Sequence, residues 1–141
     1  MKKTIDRYIK GYRHYFSTVK SELNCGKKIS HWMWFIFPQV KGLGHSPISN
    51  YYAFESHDEV REFWACKELR KQLLELVKIV LQMKNHEEVL NCFGAVDAMK
   101  FHSSMTVFWL VTKHRVFKKA LKKFYGDILD ERTVKLLAEV L

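Results

Sequence analysis

His31-Trp32-Met33-Trp34-Phe35-Ile36-Phe37 is the stretch on which the fold class turns. Nearly every position is apolar, so neither the period of a half-buried strand nor that of an amphipathic helix stands out. By composition the run suits a buried strand, since aromatic and β-branched residues fit a pleated surface. A strand needs partners, however, because buried backbone N–H and C=O groups must be paired. No other stretch of the chain reads as a strand. The run therefore reads as a short buried helix, with Ser30 as its N-cap and Pro38 ending it.

Outward from this segment the pattern is helical. Upstream, Ile5, Tyr8, Ile9, Tyr12, Tyr15, Phe16, Val19 and Leu23 recur at three- and four-residue steps, which predicts a helix over residues 4–24. Gly26 stands where a left-handed C-terminal cap belongs. Downstream, PQVKGLGHSPISN, residues 38–50, holds both prolines and two of the six glycines, and reads as a surface or pocket-edge loop. Ser56 with Glu59 then forms a capping box ahead of Val60, Phe63 and Trp64. Leu69, Leu73, Leu76, Val77, Val80 and Leu81 predict a helix from Lys67 to Lys84. Asn85 with Glu88 opens a short helix that ends before Gly94, and Asp97 is expected to cap another through Val111. A further helix spans His114 to Tyr125, closed by Gly126, and Asp130 caps a last one expected to reach Leu141. The expected fold is all-α: one compact domain over residues 1–141, with six to eight short helices in irregular orthogonal packing.

Composition narrows the functional classes. A chain of 141 residues with 48% hydrophobic content supports a core without staples, and 14% aromatics makes that core bulky. Its three cysteines, Cys25, Cys66 and Cys92, form no CxxC pair, so neither a zinc site nor a disulfide framework is expected. The histidines show no paired metal-ligand spacing, and no metal is expected. The basic start MKKTIDRYIK is interrupted by charges before any apolar stretch of leader length, and the apolar run from Trp32 to Phe37 is too short to span a bilayer. The expected location is cytoplasmic.

Two stretches carry a family signature: SHWMWFIFPQVKGLGHS, residues 30–46, and FGAVDAMKFHSSMTVF, residues 93–108. With them the chain resembles the family known as domain of unknown function 1810. The N-terminal helix, the pair Tyr51-Tyr52 and the segment GDILDERTVKLL also fit it. The resemblance implies a small all-helical fold and no established activity. The label "calpastatin" carried by some members does not suit a chain with a core, since that inhibitor is disordered and repetitive. Cys66 and Lys67 stand where the family often has a His-Pro pair.

Polar residues inside these apolar signatures mark the expected site. His31, Trp32 and Trp34 suit an aromatic cage for a flat ligand, or plain core packing. Gly42-Leu43-Gly44-His45-Ser46 suits backbone approach to an anion or a tight turn, and matches neither a GxGxxG nor a Walker loop. Asp97, Lys100, Ser103 and Ser104 near a helix start suit a phosphate or carboxylate, or else a cap, an ion pair and close helix contact. No nucleophile elbow is present. The reading is a site for an anionic, nucleotide-like or ADP-ribose-like small molecule, lined by Trp32, Trp34, Tyr52, Asp97, Lys100, Ser103 and Ser104. If it is an enzyme, His31 is the proton carrier. The alternative is a nucleic-acid or protein interaction module. It rests on net charge +9 and on the cluster Lys113, Arg115, Lys118, Lys119, Lys122, Lys123, which matches no recognised nucleic-acid motif.

Overall fold

A computed structural model describes residues 3–139. Among them are nine helices: α1 (Asp6–Asn24), α2 (Met33–Ile36), α3 (Pro47–Tyr52), α4 (His57–Ala65), α5 (Lys67–Val80), α6 (His86–Phe93), α7 (Ala95–Thr112), α8 (Arg115–Tyr125) and α9 (Glu131–Glu139). The protein is all-α, as the periodicity and the family resemblance predict. The segment around Trp32 is helical, although its helix is a single turn.

Helix α7 is the centre. It packs against α4, α6, α8 and α9, while α1 packs against α5 and α2. Neighbours cover most of α7, which is why Ala98, Phe101, Ser104, Met105, Val107 and Phe108 are all buried, while Ala95, Val96 and Met99 near its start stay exposed. Two of its hydroxyls bond within the helix: Thr106 Oγ1 donates to the His102 carbonyl at 2.8 Å and Thr112 Oγ1 to that of Phe108 at 2.7 Å. The aromatic content fills the space between helices. Phe101 stacks on Phe93 at 5.3 Å and meets Phe37 edge-on at 5.1 Å, joining the two signature segments through ring contacts.

The chain turn after α1 is folded around Glu22. Gly26 adopts the left-handed conformation (φ +73°), so Lys27 N–H reaches back to the Glu22 carbonyl at 3.1 Å and Gly26 N–H to Leu23 at 3.1 Å. This is the two-bond closure expected of a glycine at that place. The Glu22 carboxylate then accepts from Ile29 N (2.7 Å), Ser30 N (3.0 Å), Ser30 Oγ (2.6 Å) and Trp32 Nε1 (3.0 Å). Ser30 is therefore not the cap of α2. Its hydroxyl is committed to Glu22, and α2 starts at Trp32 with no side-chain cap.

Two other expectations are corrected. The stretch read as a loop contains α3. Ser46 Oγ accepts from Ser49 N at 3.1 Å and Pro47 occupies the first helical position, where its fixed φ and missing N–H cost nothing. Asp97 does not cap α7. Gly94 does, at φ +83° and ψ 161°, a conformation essentially reserved for glycine, and it ends α6 as well. The predicted caps Ser56, Asn85 and Asp130 accept from the N–H of Glu59, Glu88 and Thr133, and Gly126 closes α8. Helix α5 stops at Val80, short of Lys84.

The 40–54 segment is closed at its base. Lys41 N–H donates to the Phe54 carbonyl and Phe54 N–H to that of Gln39, both at 2.9 Å, forming one isolated parallel bridge between Val40 and Phe54. Buried Arg7 binds the carbonyls of Tyr51 (2.8 Å) and Ala53 (3.3 Å) and pairs with Glu59 at 3.0 Å, while Tyr8 Oη donates to the Tyr52 carbonyl at 2.5 Å. Helix α3 thus rests on α1.

Two measurements test this account. A methyl group added at Gly11 would meet the Phe35 ring 2.3 Å away. Gly11→Ala should therefore lower stability by about 1–3 kcal/mol in denaturant titration, against the gain of about 1 kcal/mol that alanine brings to an exposed helix site. Burial would raise the Glu22 pKa, but the bonds from Ser30, Ile29 and Trp32 overturn that and hold it at about 2 against an ordinary 4.5. A depressed carboxylate stabilises the fold above its ordinary pKa and loses that contribution as pH falls from about 4.5 toward about 2. With screening at the carboxylate's open edge, the loss is about 2 kcal/mol, and it should be absent from Glu22→Gln in acid unfolding curves.

Candidate functional site

The two signature segments meet. A cleft of about 260 Å³ lies between the turn after α2 and the first half of α7, with the start of α9 at its end. Gln39, Leu43 and Gly44 form one wall, Val96, Met99, Lys100 and Ser103 the other, and Asp130 and Arg132 complete it. The α7 residues follow helical spacing, so they line one stripe of that helix. A narrow notch, with room for about one water molecule at 10 Å³, opens nearby between Trp34, Met33, Phe37, Ser49 and Ala53, and shares Gln39 and Lys100 with the cleft.

Lys100 therefore stands at the junction of both spaces. Its Nζ is 5.6 Å from the centre of the Trp34 ring, within range of a cation–π contact. Asp97 is a loose partner at 3.8 Å, because its carboxylate is drawn to Lys28 at 2.9 Å. Lys28 in turn donates to the Ser30 carbonyl at 2.8 Å and lies 4.9 Å from the Trp32 ring. Asp97 thus ties α7 to the turn around Glu22 and leaves Lys100 largely uncompensated. Arg132 is exposed and makes no ion pair among the described residues.

Asp130 is engaged locally. Its Oδ2 accepts from Thr133 N (3.1 Å) and Thr133 Oγ1 (2.5 Å) and lies 3.1 Å from Ser103 Oγ, which is also 3.1 Å from the Met99 carbonyl. Thr106 Oγ1 accepts from Asp130 N at 3.1 Å, so α7 fixes where α9 begins. The floor of the cleft is a hydrogen-bonded cap, and its cations are at the rim.

Of the residues expected at the site, the structure brings Lys100 and Ser103 to the cleft and Trp34 to the notch beside it. Trp32 is fully buried with its indole N–H on Glu22, packed against Phe37 and Phe93. Tyr52 packs between Tyr8 and Phe35. His31 is exposed, its ring 6.5 Å from that of Trp34, and lines neither space. Ser104 is fully buried, and its hydroxyl has no partner among the described residues. Gly44 lies against Ser49, where a side chain would collide at 2.6 Å, and Gly42 faces Leu136. The loop's glycines thus serve close packing as well as shaping the cleft wall.

Gln39, Val96, Met99, Asp130 and Arg132 lie outside the expected lining, whereas Leu43 and Gly44 come from the glycine-containing loop read as open to an anion. Val96 and Met99 stand out only in the structure. They are exposed by 67% and 66%, an apolar pair one turn apart that no neighbour covers. Among the described residues, no group of three or more His, Cys, Asp or Glu converges as a metal site. No helix there is long and apolar enough to cross a membrane.

Comparison with known proteins gives the following. The family model described as "Protein of unknown function (DUF1810)" matches residues 2–137. Among solved structures, the crystal structure of the conserved hypothetical protein Rv1873 from Mycobacterium tuberculosis is similar, with a TM-score of 0.89 and 36% sequence identity, over 95% of this chain and 96% of that one. No curated protein matches.

The unpartnered hydroxyl at Ser104 yields a test of site against core. A buried O–H without a partner is a cost that a methyl group removes. Ser104→Ala should leave the thermal midpoint unchanged or raise stability by up to about 1 kcal/mol. A loss above about 1 kcal/mol would mean that the hydroxyl has a partner after all.

Proposed function

The chain belongs to the DUF1810 family of proteins of unknown function, and from that premise we propose that it binds a small anionic molecule in the cleft between the Gln39–Gly44 turn and α7. The observation that carries this reading is Lys100, a largely uncompensated cation at the junction of cleft and notch, on the same wall as the exposed apolar Val96 and Met99 and opposite the half-buried Leu43. Cation plus apolar wall suits a ligand with a phosphate or carboxylate and a flat, poorly hydrated body, such as a nucleotide or an ADP-ribose-like compound. Arg132 supplies a second cation to the same cleft.

The volume sets a limit. At about 260 Å³ the cleft lies just below the usual range of about 300–1,000 Å³ for small-molecule sites, so it would hold one moiety while the remainder lies along the surface. Ser103 and Asp130 form a hydroxyl–carboxylate pair with no histidine in the cleft, and this favours binding over covalent catalysis. His31 would serve as a proton carrier only for a ligand long enough to pass Trp34. Cys25, Cys66 and Cys92 are all free thiols, in keeping with a cytoplasmic setting.

Thermal-shift measurement against nucleotides, NAD, ADP-ribose and sugar phosphates tests the proposal. A ligand at about 100 times its Kd stabilises the fold by about 2.7 kcal/mol, which moves the midpoint of a domain this size by about 8 °C. The shift should vanish in Lys100→Ala and fall in Arg132→Ala, with both variants melting near the wild type when no ligand is added. A shift that survives both substitutions would place the site elsewhere.

A further inference from the structure

Helix α8, RVFKKALKKFY, has no acidic residue. Its basic residues do not share one fate. Lys118 is paired with Asp127 at 2.8 Å, and Lys123 donates to the Leu81 carbonyl at 2.7 Å, at the C-terminal end of α5. Arg115, Lys119 and Lys122 are exposed and make no ion pair among the described residues. They recur at four- and three-residue steps, so they form a single stripe about 10 Å long. Lys78 on α5 extends the same field, since it and Arg115 both disfavour the protonated form of His114, after the burial of that ring.

We infer that this α8 face is a docking surface for the phosphate backbone of duplex nucleic acid, engaged by Arg115, Lys119 and Lys122 with no reading of sequence. Charge complementarity to a polyanion carries the inference. A bilayer fits the face less well. Surface helices on membranes insert apolar side chains, whereas Val116, Phe117, Ala120, Leu121 and Phe124 are all buried in this protein's core. The exposed large apolar residues Ile29, Ile48, Tyr51, Val96, Met99, Ile128 and Val134 lie outside α5 and α8. Single strands fit it less well too, because they are held by stacking on exposed rings. The one half-exposed ring of α8, Tyr125, is already stacked on His102 at 4.0 Å, with its hydroxyl on the Ala98 carbonyl.

The test is fluorescence anisotropy of a labelled random-sequence duplex titrated with the full chain. Three neutralised phosphates give a log–log salt slope of about −2.7, or about 40-fold weaker binding as salt rises from about 50 mM to about 200 mM. The triple variant Arg115→Glu, Lys119→Glu, Lys122→Glu should lose that binding. The triple Lys10→Glu, Lys27→Glu, Lys135→Glu, which removes the same net charge from exposed positions elsewhere, should retain it. Replacement of Arg115, Lys119 and Lys122 by Gln gives the same reading without introducing repulsion. Equal weakening by both reversed triples would reduce the effect to net charge and overturn the proposal. So would the absence of binding at low salt, and so would co-sedimentation with phosphatidylserine vesicles at a salt concentration where the duplex is released.

Discussion

The carboxylate of Glu22 gathers four donors from three residues of one short stretch, Ile29, Ser30 and Trp32, and the seating of the first signature segment depends on it. Its backbone carbonyl closes α1 through Lys27, while its side chain stops the outgoing chain at Ile29 and Ser30 and takes the indole N–H of Trp32. A buried indole without an acceptor would be costly, so Trp32 has one seat in this fold. Once it is seated, Phe37 meets Phe101 and Phe93, and the first signature segment lies against α7. A second route reinforces the first: Lys28, on the same turn, pairs with Asp97 in the first turn of α7.

Much of this was legible in the residues. The stripe of α1, the capping pairs Ser56–Glu59 and Asn85–Glu88, and the closing glycines Gly26 and Gly126 are local signals with local causes, and the structure keeps them. Helix α3 was hidden because a Ser-Pro pair just after two glycines reads equally as a turn and as a helix start. The misplaced start of α7 has a similar origin. Asp97 suits a cap and also suits a first-turn partner for a lysine, and only the distant Lys28 decides between them.

The site was legible in part for the same reason. Lys100 and Ser103 were recognisable as polar residues in an apolar helix. Direction was not recognisable: Trp32 and Trp34 are two residues apart at a single helical turn and face different surroundings, one the core and one the notch. Arg132 arrives from α9, and no pattern in the intervening residues announces it. The apolar pair Val96 and Met99 is read as core in any sequence-level account, because exposure is a property of what fails to cover them.

The bridge between Val40 and Phe54, together with the grip of Arg7 and Tyr8 on the carbonyls of Tyr51, Tyr52 and Ala53, has a consequence for the cleft. Both ends of the segment that walls the cleft are fastened to the scaffold through backbone groups, which any side chain would supply equally. Lengthening a closed segment is cheap, about 0.6 kcal/mol for each doubling. Residues between the fastenings other than Gly42 and Gly44, which lie against Leu136 and Ser49, can therefore change at small cost to the helices. The opposite wall, built on the central helix α7, has no such freedom. A new side chain at Gln39 or Leu43 would thus reshape one wall of the cleft while the wall on α7 stays fixed.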